Sequence, residues 1–199
     1  MRVAGKIASG LGAAIAGGAA WFYARERMAE TPACETIERD GPCCVRRYPQ
    51  LIVAQTARRG ERLAALKTGF GVLADYIFAE SRDGPEIAMT APVLAAREGG
   101  LWRIRFVMPA KWTRATLPAA GADVTIEEVP ARTVAAIRFA GRPDDAGMIR
   151  RETELRSWMR ARGLAAADTA EHAFYNSPLM PGPLRRNEVL IEVLNNQIG

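Results

Sequence analysis

Two segments of helical period, each set between pairs of strand-like segments, predict an α+β domain in which one curved sheet or distorted β-barrel carries both helices on its outside. The second observation is an internal repeat. Pro49, Val53, Ala54 and Gly60 return as Pro130, Val134, Ala135 and Gly141, at one constant offset. The third is composition: 199 residues with 49% hydrophobic and 25% charged are enough for one self-sufficient core plus an appendage.

The elements follow in order. Residues 45–48 and 51–57 read as strands, and 61–79 as a helix, because Leu66, Phe70, Leu73 and Ile77 recur at three-to-four spacing with Tyr76 flanking. Ser81-Arg82-Asp83-Gly84 breaks that helix. Strands are predicted over 86–96 and 101–108. In the first of these, Ile87, Met89 and Ala91 make an apolar face, and Ala88, Thr90 and Pro92 leave only small groups on the other. The second half repeats the order, with strands at 124–129 and 133–139, a helix at 144–162, and strands at 172–175 and 189–194. Asp144 and Asp145 suit the start of that helix, and Gly163 suits its end. Two such units bury one another most simply by sharing one sheet, with a groove left between helix and sheet edge.

Residues 1–30 form the appendage and 31–199 the domain. Arg2 and Lys6 precede an uncharged run over 7–23 that closes on Trp21, Phe22 and Tyr23 and is followed by Arg25 and Arg27. As a helix this run spans roughly 25 Å against a bilayer core of about 30 Å, and its aromatic end suits a membrane interface. The pattern predicts a signal anchor in the inner membrane with a periplasmic domain. Gly18-Ala19-Ala20 keeps open the alternative of a cleaved signal peptide and release into the periplasm. Cys34, Cys43 and Cys44 make an odd count with no zinc spacing, so they read as structural or incidental.

The net charge of +5 falls to +3 outside the first thirty residues, with the arginines dispersed, which argues against a nucleic-acid partner. Catalytic chemistry is equally unsupported. No serine or cysteine stands at a motif spacing from the single histidine, His172, and no glycine-rich phosphate loop follows a strand. Glu127 and Glu128 are neighbours on a strand and point to opposite faces, so they cannot act as a dyad. His172 reads as a half-exposed strand residue rather than an axial iron ligand, and Met89 and Met108 read as core filler. The chain is therefore expected to bind something rather than to transform it.

The remaining distinctive stretch is the proline-stiffened run 174–189, Phe-Tyr-Asn-Ser-Pro-Leu-Met-Pro-Gly-Pro-Leu-Arg-Arg-Asn-Glu-Val. Together with Val45-Arg46-Arg47-Tyr48-Pro49, Gly69-Phe70, Ile87-Ala88-Met89-Thr90-Ala91-Pro92-Val93 and Phe106-Val107-Met108-Pro109, it closely resembles the SOUL haem-binding protein family over residues 32–194. The resemblance implies a distorted barrel of two pseudo-repeated units, similar to bacterial effector-binding domains. It also implies a non-enzymatic module that binds haem or a metal-free porphyrin for buffering or transfer. The alternative is binding of another flat amphipathic small molecule. Carried over by position, the pocket lies between the first helix, with Lys67, Phe70, Leu73 and Ile77, and the loop holding Leu179 and Met180. Lys67 would meet a propionate, whereas the chain departs from some members in placing Met180-Pro181 where a lysine can occur. The apolar residues of this set also read as core with no ligand. Arg185 and Arg186 alternate in direction, so at least one is expected to pair with Glu188 or to cap loop carbonyls.

Overall fold

The computed structural model describes residues 29–142 and 144–194. Nine strands form one antiparallel sheet: β1 (Glu35–Asp40), β2 (Cys43–Tyr48), β3 (Leu51–Arg58), β4 (Val93–Glu98), β5 (Leu101–Val107), β6 (Thr125–Val129), β7 (Arg132–Ala140), β8 (Ala166–Phe174) and β9 (Arg186–Val193). Their spatial order is β1-β2-β7-β9-β8-β4-β5-β3-β6. The helices are α1 (Arg62–Phe78) and α2 (Asp145–Ala161), and a short 3-10 turn covers Gly182–Leu184. Strands β2 to β5 enclose α1, and β6 to β9 enclose α2, in the same sequence of element types. The order has two ends, β1 and β6, and no ladder among the described residues joins them. The sheet is therefore open, not a hydrogen-bonded barrel.

Both helices bury apolar arcs against the sheet. Leu73, Tyr76 and Ile77 of α1 pack with Ile104, Phe106 and Trp102, and the helix comes closest at Gly69, where an added Cβ would stand 2.6 Å from Ile104 Cδ1. Under α2, Met148, Leu155 and Met159 meet Ala135, Ile137, Val189 and Ile191. Asp144 caps α2 by accepting from the Gly147 amide, and Gly163 beyond its end has a φ of 68°. A third cluster, with Cys44, Val53, Leu94, Val107, Ala136, Ala173 and Leu190, fills the face of the sheet turned away from the helices. Cys43 and Cys44 consequently serve opposite clusters, and all three cysteines are free.

Three elements differ from expectation. Residues 86–92 form no strand: Pro92 has no amide to donate, and the segment is fastened instead by the Ile87 amide to Ile77 O and the Thr90 hydroxyl to Val107 O. Thr90 is buried for that reason. Strand β8 starts at Ala166, six residues early, because its small and polar residues hide the alternation that β9 completes by pairing. Strand β1 is polar and mostly exposed, held on one side only by β2. Among the described residues no helix is long and apolar enough to cross a membrane, and the predicted anchor or signal peptide lies, through residue 28, outside them. Glu30 is tied to the domain, its carbonyl accepting from Ala91 and its carboxylate from the Ala110 amide.

Candidate apolar groove between the helices

Helix α1 lies on β3 and β5, and α2 lies over β7, β8 and β9, so β4 runs between the two helices with no helix packed on it as its main cover. The pairing registers define the floor. Phe106, Val93 and Phe174 form one cross-strand row, and Ile104, Ala95, His172 and Val189 form another. Val93 and Phe174 remain only half buried although both are apolar.

The wall comes from α1. Leu63, Lys67 and Phe70 stand at i, i+4 and i+7 and therefore share one stripe, at the border of the arc that α1 buries. Phe70 is 39% exposed and its ring meets Phe106 edge-on at 5.2 Å, which turns this stripe toward β5 and β4. Leu63 is 76% exposed. The other flank of α1, with Val72, Asp75 and Tyr76, faces residues 121–124 across a concavity of about 350 Å³. An ion pair between Arg62 and Asp145 joins the first turns of the two helices.

His172 sits in the floor with its ring 5.7 Å from that of Trp102 and 6.3 Å from that of Phe174. It is buried, not half-exposed as the sequence suggests, because β8 begins well before it and β4 and β9 pair on both sides. Its Nδ1 has no hydrogen-bond partner. Burial, and then the positive charge of Arg62, push its pKa down to about 4, with Asp145 opposing. The unfolded chain takes up a proton near pH 6.5 while the folded chain stays neutral, so stability falls as pH drops from about 6.5 to about 4, by up to about 3 kcal/mol. Urea denaturation at pH 7 and pH 5 is expected to show about 2 kcal/mol of that loss in the wild type and a much smaller one in His172→Gln. Equal pH dependence in both would contradict a neutral buried imidazole.

The residues named from the sequence separate into three groups. Lys67 is exposed beside Phe70, where it can serve as a rim cation. Leu73 and Ile77, expected to line the slot, are buried to 0% and 1% and are packed in the core, because the buried arc of α1 runs through them. Leu179 is 80% exposed and Met180 is 3% exposed, so the two neighbours in the loop face opposite ways. That loop is fixed by Arg185, which donates to the carbonyls of Met180 and Pro178, and by the Gly141 amide bonding to Gly182 O just ahead of α2. Arg186 pairs instead with Glu188 at 2.8 Å. Loop and α1 thus both meet the start of α2, the one through Gly141 and the other through Asp145.

Leu63, Val93 and Phe174 join the candidate set on the strength of the structure. Leu63 was readable, since it continues the Lys67–Phe70 stripe by one turn. Among the described residues no group of histidine, cysteine and carboxylate side chains is arranged to hold a metal ion. The arrangement suits a flat apolar ligand with an anionic edge, laid on Phe70, Val93 and Phe174 and met at the rim by Lys67.

Known proteins share this fold. The family profile described as SOUL heme-binding protein matches residues 29–192. No curated protein matches the chain. Among solved structures, the EcmrR C-terminal domain is similar with a TM-score of 0.59 at 12% identity, covering 76% of this chain and 96% of that one. An uncharacterized conserved protein from Listeria innocua gives 0.53 at 10% identity, covering 74% and 90%. A protein described as a hydrolase from the same organism gives 0.51 at 12% identity, covering 75% and 91%. At these identities the likeness is one of fold alone.

Proposed function

Because this chain belongs to the SOUL heme-binding protein family, we propose that the groove between α1 and α2 takes haem or a metal-free tetrapyrrole and that the domain holds it for buffering or transfer without altering it. The observation that carries the reading is the exposed apolar stripe of Leu63 and Phe70 flanking a floor in which Val93 and Phe174 stay half buried. A plate burying roughly 400 Å² of apolar surface there gains on the order of 10 kcal/mol at about 25 cal/mol per Å². Association costs of several kcal/mol leave affinity in the micromolar range without a coordinate bond.

His172 lies in the same floor, yet its burial between two rings and under Arg62 suits packing better than coordination. Protoporphyrin IX is therefore expected to bind within about threefold of hemin, a difference below about 1 kcal/mol. Soret titration with hemin and fluorescence titration with the metal-free ring measure both. Failure of the metal-free ring to bind would assign the affinity to iron and make His172 its ligand. Saturable binding of other flat amphipathic molecules with neither porphyrin would favour the alternative reading of a general small-molecule module.

We further read the two strand–strand–helix–strand–strand halves as a duplicated unit whose shared sheet curls toward a barrel; the constant offset between the Pro-Val-Ala-Gly patterns supports this. The boundary near residue 30 and a tether to the inner membrane, with the domain in the periplasm, rest on the sequence of residues 1–30. Full-length protein is expected to stay with membranes through carbonate extraction, and a chain beginning at Thr31 to leave them. A mature chain recovered from the periplasm with its N-terminus near Trp21 would establish cleavage instead.

A further inference from the structure

Around the start of α2 the structure leaves four bulky aliphatic side chains in the open. Leu63 of α1 and Ile149 of α2 are 76% and 64% exposed, and Leu179 and Leu184 of the loop before β9 are 80% and 56% exposed. Two links gather them at one end of the fold. The ion pair of Arg62 with Asp145 joins the first turns of the helices; Leu63 follows Arg62 directly, and Ile149 stands one turn beyond Asp145 on the flank that meets α1. The Gly141 amide bonds to Gly182 O, and an added Cβ on Gly182 would stand 3.6 Å from Arg142 Cγ, so the loop lies against the same helix start. Arg185 fixes the loop by its carbonyls and Met180 is buried, which leaves Leu179 and Leu184 to project.

The same end carries Arg59, Arg142 and Arg150, all exposed. Farther along α2, by contrast, Arg151 and Arg156 are taken up by Glu154 and Glu152. Of the carboxylates at this end, Asp145 is held by Arg62 and Asp144 by the Gly147 amide, which leaves Glu61 against three arginines. Aliphatic side chains that project singly among cations, with no aromatic ring at their centre, lack the desolvated anchor of a protein–protein interface. They suit the boundary of an anionic bilayer, where leucines enter the acyl region and arginines meet headgroup phosphates. The place where the chain enters the domain favours the same surface. The Ala91 amide donates to Glu30 O two residues before Val93, at the end of the groove floor from which the loop also departs after Phe174. Tyr23 precedes Glu30 by seven residues, a reach of at most about 25 Å. With residues 7–23 in the bilayer, as proposed above, this end is held within that reach of the surface. We propose that it docks on an anionic lipid surface, with Leu63, Ile149, Leu179 and Leu184 entering the bilayer, so that the groove opens onto the membrane and takes its tetrapyrrole from the lipid phase. The traffic in tetrapyrrole rests on the reading of the groove given above; the docking itself does not.

An environment-sensitive nitrobenzoxadiazole label on Leu184→Cys reads the docking, in full-length protein whose exposed Cys34 is removed as Cys34→Ser; Cys43 and Cys44 are buried. On vesicles of phosphatidylcholine with phosphatidylglycerol its emission is expected to rise and move to the blue. The same label on Ala131→Cys, exposed at the opposite end of β7 from the start of α2, is expected to stay as in water. Vesicles of phosphatidylcholine alone, or salt raised to about 0.5 M, are expected to reduce the response by removing or screening the headgroup charge. Ile149→Glu combined with Arg142→Glu is expected to lower the docked fraction tenfold or more, that is by roughly one decade at least, and to leave the hemin titration as in the wild type, since neither side chain lines the groove. The label responds without hemin, and whether or not residues 7–23 enter the bilayer, so failure of docking and failure of haem binding are separate results. No blue shift at position 184, an equal shift at position 131, or an unchanged shift in the combined variant would each overturn the proposal. A blue shift that appears without lipid and grows with protein concentration would overturn it in favour of a second copy of this chain.

Discussion

Glu188→Ala is expected to destabilise the domain by about 3–5 kcal/mol. Glu188 is fully buried on β9, and Arg46 reaches it from β2 with two hydrogen bonds, at 2.7 and 3.1 Å. Arg186 adds a bond at 2.8 Å and the Tyr175 hydroxyl donates another at 2.9 Å. Burial alone would raise the carboxyl pKa; the hydrogen bonds and charge of Arg46, then of Arg186, outweigh it and hold the group below its usual range. Alanine leaves the guanidinium of Arg46, a residue only 6% exposed, without its counterion. The cost is therefore that of an uncompensated buried charge rather than of the pair itself. Replacing both partners, as in Arg46→Met with Glu188→Leu, is expected to recover most of the loss. Urea denaturation of the single and double variants measures it. A single-variant loss under about 1 kcal/mol would show that water relieves the guanidinium and that the network is marginal to stability.

The Asn187-Glu188 part of the sequence stretch that carried the family resemblance is thus explained by structure rather than by ligand. Asn187 donates to Gly141 O, Glu188 anchors the network, and Arg185 holds the loop carbonyls. A specific motif identified the family; it did not mark the site.

Helical period and alternation were legible wherever one face is apolar and the other polar. The helix over 61–79 was placed to within a residue at each end, since the three-to-four spacing of Leu66 to Ile77 is unambiguous. What the spacing left open was the angular width of the buried arc. Leu73 and Ile77 share a broad apolar face with Phe70, and only the position of β5 under Gly69 decides that the first two are core and the third is border. Strand β8 was largely invisible because Ala-Ala-Asp-Thr-Ala carries no hydrophobic signal, and with its start misplaced His172 was given the wrong exposure. The ion-paired cluster of Arg105 and Arg132 on Glu171 was out of reach for another reason. Arg105, Arg132 and Glu171 lie on three strands far apart in the sequence, and no local pattern announces their meeting.

The groove itself makes the second large prediction. Leu63→Glu and Phe70→Glu each place an unpaired carboxylate against an apolar plate, and each is expected to abolish detectable hemin binding, a loss of about a hundredfold or more from micromolar affinity. The two differ in what they cost the fold. Leu63 is 76% exposed and its replacement leaves stability nearly unchanged, whereas Phe70 also surrenders its edge contact with Phe106 and about 1 kcal/mol with it. Leu73→Glu, by contrast, buries a charge in the core and is expected to prevent folding. Lys67→Ala removes only a rim cation, and is expected to weaken hemin several-fold and to reduce the dependence of affinity on salt.

The most direct measurement is a Soret titration of Leu63→Glu beside the wild type, with circular dichroism and a urea melt establishing that both are folded. If the groove between α1 and α2 is the tetrapyrrole site, the wild type saturates with hemin in the micromolar range and the folded Leu63→Glu protein does not. Equal hemin affinity in the two folded proteins would contradict that placement.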